Sequence, residues 1–280
     1  MSRIVRAGGT QTGLRRWNAG ASRQVWAVHC SLAHSGAWEG LAAHMPADIG
    51  LSAFDLPGHG RAAPWDPSRD FQDQALGMLE GLAGDDPVDL IGHSYGATVA
   101  LRFALERPKS VRSLALIEPV LFKLAEVAAP EIYAAYRKDF APFVEAIGRG
   151  ECESAARVFT EIWGAGDDWN TISARTRQGL VERIGLILAG DSATFADRAG
   201  LSRPGRLEAL DLPVLLVEGA ASPPVIGAIQ AELHRRLPGA ARIVVDAARH
   251  MVPITHPGDV ARGLIDLWGR APVARPSAAG

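Results

Sequence analysis

The sequence predicts an α/β fold: a mostly parallel central sheet flanked by helices, with a helical insertion. Three observations carry that prediction. Short apolar runs bounded by turn residues recur along the chain. Stretches of helical pattern lie between several of them. The alternation then stops between about residue 119 and residue 210.

The strand-like runs are 24–29 (QVWAVH), 50–55 (GLSAFD), 88–92 (VDLIG), 111–118 (VRSLALIE), 214–219 (VLLVEG) and 241–246 (ARIVVD). They lack a polar face, which is the mark of parallel strands covered on both sides. Helical pattern falls on 69–83, 95–106, 224–236 and 257–269, so right-handed strand–helix–strand crossovers are expected. In the interrupting block, Ile132, Tyr136, Phe140 and Ile147 recur at helical spacing, and "CESAARVFTEIW" and "TRQGLVERIGLILA" are helical in pattern. The expected organisation is a core of residues 1–118 and 210–270, a helical lid over 119–209, and a flexible tail over 271–280.

Composition narrows the partners. The 280 residues are 48% hydrophobic and 21% charged, which suits one large domain with an inserted subdomain. A net charge of -2 provides no electrostatic footprint for nucleic acid or an anionic membrane, so small molecules are the expected partners. Cys30 and Cys152 are too few for a disulfide framework or a zinc cluster. No apolar stretch approaches the roughly 18 residues of a membrane helix. The opening "MSRIVRAGGTQTG" lacks the apolar region of a signal peptide, and a cytoplasmic protein is expected.

The chemistry centres on G-H-S-Y-G, residues 92–96, which follows a strand-like run and opens a helical one. A sharp strand-to-helix reversal leaves Ser94 in a strained, exposed conformation. Gly92 and Gly96 keep side chains out of the turn, and the helix N-terminus favours developing negative charge. The alternative is a glycine-flanked turn with an inert serine. G-x-G-x-x-G spacing is absent, no ligand cluster appears, and no metal or organic cofactor is implied.

With "VHCSLAHSGAW" (28–38), "FDLPGHGRA" (54–62), "GHSYG" and "ARHMVPITHP" (248–257), the chain resembles the α/β-hydrolase fold superfamily from about residue 14 to residue 270. The resemblance implies a serine hydrolase with Ser94 as nucleophile and His250, in the loop after the last strand, as base. An imidazole can take the serine proton and return it to the leaving group. The family's early turn maps onto His29-Cys30-Ser31, with the Ser31 N–H as one oxyanion donor and the Tyr95 N–H as the other. Cys30 stands where the family usually has glycine. Asp55, His59 and His93 are implied to be structural, His34 and His44 carry no motif, and His256 looks like helix-opening chemistry.

Relatives commonly place the triad aspartate in the loop after "VLLVEG", but this chain has Ser222 there. A serine cannot hold an imidazolium by charge. Glu118, at the end of "VRSLALIE", is the favoured acid, because some members of the superfamily use that neighbouring strand end. Glu218 and a water-supported Ser-His pair stay open.

The implied reaction is cleavage of a small or medium, largely apolar ester, thioester or carbon–carbon diketone through an acyl-enzyme. Tyr133, Tyr136, Phe140, Phe143, Phe159, Trp163 and Trp169 could line a pocket or pack the inserted helices onto the core. Fold does not fix chemistry. Acyl transfer to an alcohol, a lyase step, cofactor-free oxygenation in the same pocket, or a ligand-binding protein without catalysis remain rival readings.

Overall fold

Strands without a polar face must be covered on both sides, and this chain covers them with helices on each face of one sheet. The computed structural model describes residues 2–84 and 86–271. The strands are β1 (Arg3–Ala7), β2 (Thr10–Trp17), β3 (Arg23–Val28), β4 (Ile49–Phe54), β5 (Val88–His93), β6 (Val111–Ile117), β7 (Val214–Gly219) and β8 (Ala241–Val245). They lie in the order β1-β2-β4-β3-β5-β6-β7-β8. β1 and β2 pair antiparallel with each other, and β2 pairs antiparallel with β4. Every later pairing is parallel.

Every residue of β4, β5 and β7 is buried. Alternation along each strand feeds two cores. Phe54, Leu90, Leu114 and Leu216 face one core, closed by helices that include Phe71–Ala83, Tyr95–Glu106 and Pro224–Arg236. Val25, Leu51, Ile91 and Ala115 face the other, where Trp38, Leu264 and Trp268 pack. Leu264 and Trp268 come from the helix Pro257–Arg270. The six runs expected from sequence are all strands, within one residue at each end.

Two elements differ from expectation at the N-terminus: β1 and β2 have no counterpart in the sequence reading. β2 carries Thr10, Thr12, Arg15 and Arg16 and sits near the sheet edge, so it shows neither a continuous apolar run nor a strong helical period.

Between β6 and β7 the chain is helical, with the helices Phe122–Ala128, Pro130–Gly148, Cys152–Trp163 and Ala174–Arg183 and the short turns Leu186–Ala189 and Asp191–Thr194. The run expected as one helix over 176–189 breaks at Ile184 and Gly185. Tyr136 and Phe140 are buried as their spacing suggests, whereas Ile132 is 40% exposed. Phe122 stacks against both Tyr136 (4.7 Å) and Phe195 (4.6 Å), which ties the segment into one aromatic cluster. Among the described residues, no helix is long and apolar enough to cross a membrane. The tail 272–280 lies outside the described residues. Ala271 is buried, its N–H donating to the Trp268 carbonyl.

Candidate active site

In a parallel sheet the strand C-termini open onto one edge, and loops there can gather side chains distant in sequence. Ser94 follows β5, Glu118 follows β6, Ser222 follows β7 and His250 follows β8.

Ser94 holds φ 56° and ψ −118° between strand and helix, and its N–H donates to the Ile117 carbonyl at 2.8 Å. This left-handed conformation costs about 1–3 kcal/mol for a non-glycine residue. The crowding explains the flanking glycines. A Cβ at Gly96 would overlap the Val28 carbonyl oxygen, and one at Gly92 would overlap the backbone of Gly96 and Ala97.

Glu118 is also left-handed, with φ 51°, and fully buried. Its N–H donates to the Val217 carbonyl at 2.9 Å, which fixes the turn out of β6. Its Oε1 accepts from the Gly219 N–H (2.6 Å) and the Ser222 hydroxyl (2.8 Å). Its Oε2 lies 2.8 Å from His250 Nδ1. On the other side of the ring, His250 Nε2 lies 2.9 Å from Ser94 Oγ. A carboxylate only accepts, so Nδ1 carries the proton and Nε2 is left to accept from the serine hydroxyl. The loop is held from behind: His93 Nε2 donates to the His250 carbonyl at 2.8 Å, and Trp163 meets the His250 ring edge-on at 4.7 Å. Burial, with His250 alongside, pushes His93 down to about 3, so it stays a neutral brace.

The other candidate acid points elsewhere. Glu218 lies within β7 and pairs with Arg242 on β8 at 2.5 Å. His256 is hydrogen-bonded to the Thr255 hydroxyl ahead of the last helix, away from the serine.

Ser31 and Tyr95 line the same cavity as Ser94 and His250. Among the loop and cap backbone hydrogen bonds of the described residues, neither the Ser31 nor the Tyr95 N–H donates. The neighbouring turn is pinned by Leu32, whose N–H donates to His59 Nε2 at 3.0 Å. Asp55 accepts from the Ser35 N–H at 2.7 Å and the Arg61 N–H at 2.8 Å. His29 Nε2 accepts from the Leu56 N–H at 2.9 Å. Burial lowers His29 to about 4 and His59 to about 3, keeping both neutral. The Cys30 thiol is buried and pushed up to about 12, so it is not a thiolate nucleophile.

The cavity above Ser94 spans about 410 Å³ including its solvent-open mouth. Of the aromatic residues singled out in the sequence, Tyr136, Phe140, Phe159 and Trp163 line it, whereas Phe143 and Trp169 pack into the core. Its wall also includes Val120, Phe122, Asp191 and Phe195, which no sequence pattern distinguished. Ser31, Phe159 and Trp163 are shared with an outer, mostly apolar groove of about 770 Å³ that runs past Leu180 and Met251. The site is thus a narrow aromatic chamber opening onto a wider groove.

Residues 27–263 match the model of the Alpha/beta hydrolase family. Lipase LipV of Mycobacterium tuberculosis is 38% identical over 111 residues, which is 39% of this chain and 41% of that protein. A pimeloyl-[acyl-carrier protein] methyl ester esterase of Neisseria meningitidis serogroup B is 30% identical over 255 residues, 84% of this chain and 89% of its own. Among solved structures, a thermophilic esterase superposes with a TM-score of 0.71 at 20% identity, covering 98% of this chain and 99% of its own. A haloalkane dehalogenase loop variant from Bradyrhizobium elkanii superposes with a TM-score of 0.73 at 21% identity, covering 95% of each chain. These two likenesses concern the fold. The chain belongs to the alpha/beta hydrolase family and is a hydrolase.

Proposed function

We propose that the protein is a serine hydrolase cleaving a small or medium, largely apolar ester or thioester through an acyl-enzyme on Ser94. The observation that carries this reading is the linear contact chain from Ser94 Oγ through the His250 ring to Glu118 Oε2, at 2.9 Å and 2.8 Å. The names of the relatives, a lipase and a methyl ester esterase, agree with ester chemistry.

In this mechanism Ser94 Oγ attacks the carbonyl carbon while its proton passes to His250 Nε2. Glu118 holds the Nδ1 proton and stabilises the imidazolium. The oxyanion is received by the N–H groups of Ser31 and Tyr95, each worth about 2.7–4 kcal/mol. The tetrahedral adduct collapses, the carbon–oxygen or carbon–sulfur bond breaks, and His250 gives its proton to the leaving group. Water then adds to the acyl-enzyme with His250 again as base, releasing the acid and restoring Ser94. Residues 119–209 act as a lid whose rings exclude water and form the apolar wall.

A fluorophosphonate probe should label the wild type at Ser94 and leave Ser94→Ala unlabelled. A panel of esters turned over in ¹⁸O-water should place one label in the acid product. Absence of labelling together with absence of turnover across the panel would overturn the reading; a new ester in place of the labelled acid would redirect it to acyl transfer.

A further inference from the structure

We propose that the inner chamber contains a cation subsite in which Asp191, framed by Phe122, Tyr136 and Phe195, receives a protonated amine borne by the ligand. The inference rests on the reading that this chamber is the substrate site of Ser94, and it specifies what class of substrate enters.

The chamber wall is mostly aromatic and aliphatic, and Asp191 is the only carboxylate among the described residues that line it. That carboxylate is half-buried, so it gives up part of its hydration. Burial raises its proton affinity, and the Arg137 guanidinium, acting at a distance, favours its charge; among the described residues no side-chain or backbone donor is hydrogen-bonded to its carboxylate. Arg137 is exposed, lies 4.9 Å from the Phe195 ring centroid, and does not line the chamber. The nearby Thr194 hydroxyl donates to the Gly190 carbonyl at 3.3 Å and so is already committed. An acceptor in this state is matched by a ligand that brings its own donor.

The surrounding rings favour a cationic donor in particular. Phe122 stacks on Phe195 at 4.6 Å, and Tyr136 lies parallel to Phe195 at 6.4 Å. Phe195 already carries the Arg137 guanidinium over its ring at 4.9 Å, which shows that this cluster accommodates a cation. A carboxylate-tipped ligand would meet like charge with no guanidinium in the wall to offset it. The geometry therefore selects an aliphatic ester or thioester with an amine on the portion that enters the chamber, and it rejects the corresponding acid.

Calorimetric binding of three probes to the intact protein tests this without requiring turnover: hexylammonium, hexan-1-ol and hexanoate. Hexylammonium should bind at least about ten-fold more tightly than either of the others. Asp191→Asn should bring hexylammonium to within about two-fold of hexan-1-ol, and Asp191→Glu should retain the preference. Equal binding of the amine and the acid by the wild type overturns the proposal, and so does an amine preference that persists in Asp191→Asn. The wild-type comparison stands even if a variant fails to fold. Amine selectivity in a protein that hydrolyses no ester would overturn the hydrolase reading and leave the subsite in place.

Discussion

The Ser222 hydroxyl donates to Glu118 Oε1 at 2.8 Å, while Oε2 of the same carboxylate faces His250 Nδ1 at 2.8 Å. The loop after β7, where relatives commonly carry the acid, thus supplies a donor to an acid that comes from the end of β6. The two positions touch, so on the proposed mechanism they are alternative places for one acid.

One acid in either of two places predicts a reversal of sign between backgrounds. Glu118→Gln should lower kcat by about four orders of magnitude, because the imidazolium loses its counter-charge at unchanged geometry. Ser222→Asp alone should lower kcat by roughly ten-fold, since two carboxylates in contact share one proton. Combined, the same substitution should become beneficial and recover at least about ten-fold of the Glu118→Gln loss. Steady-state ester hydrolysis by the four proteins measures this. A double variant no faster than Glu118→Gln would show that the loop cannot reach the imidazole.

Gly96 predicts a folding failure. Any Cβ there overlaps the Val28 carbonyl oxygen, a backbone atom in the middle of the sheet, and cannot be relieved by a side-chain rotation. Gly96→Ala should yield little soluble protein, whereas Gly148→Ala, where a Cβ meets nothing, should yield normal amounts. Comparable yields and melting temperatures for the two would contradict the crowding.

Three buried histidines make stability depend on pH. His29 is lowered to about 4, and His59 and His93 to about 3, by burial in each case. Below pH 6.5 the unfolded chain takes up protons that the folded chain refuses, so stability is full above pH 6.5 and falls as pH drops towards 4. Each group contributes about 1.4 kcal/mol per pH unit in that window, or about 4 kcal/mol per unit for the three. Urea unfolding at pH 7 and pH 5 tests the sign. His59→Gln retains an acceptor for the Leu32 N–H and should flatten the slope. Equal unfolding free energies at the two pH values would falsify the account.

Trp163 lines both the inner chamber and the outer groove and packs edge-on against His250. Trp163→Ala should merge the two spaces and move the preferred ester from short towards longer or branched chains. It should also lower kcat on the shortest esters by about ten-fold as the imidazole loses its packing. A kcat/KM profile against chain length that keeps its maximum would place the size limit elsewhere.

Much of this arrangement is legible in the sequence because local rules and tertiary roles coincide. Continuous apolar runs mark the strands, and the strand–serine–helix context fixes where Ser94 must sit. Sequence favours Glu118 over Glu218 without excluding the latter, since each lies at or next to the end of an apolar run. The difference lies in backbone geometry. Glu118 leaves β6 with positive φ and turns over the sheet edge, while Glu218 stays in β7 and faces Arg242 on the next strand. Phe122, Asp191 and Phe195 were silent because the chamber wall is assembled from segments about seventy residues apart, and no local pattern reports that convergence. β1 and β2 were missed for a related reason: their pairing, rather than their composition, makes them strands.

Ser94 and Glu118 both hold positive φ, 56° and 51°, a region that glycine adopts more comfortably. Selection for heat tolerance alone would therefore drift towards Gly at Ser94, which on the proposed mechanism relieves the backbone while removing the nucleophile. Any laboratory evolution of this enzyme should screen turnover alongside thermal survival, because at this rim the two pull in opposite directions.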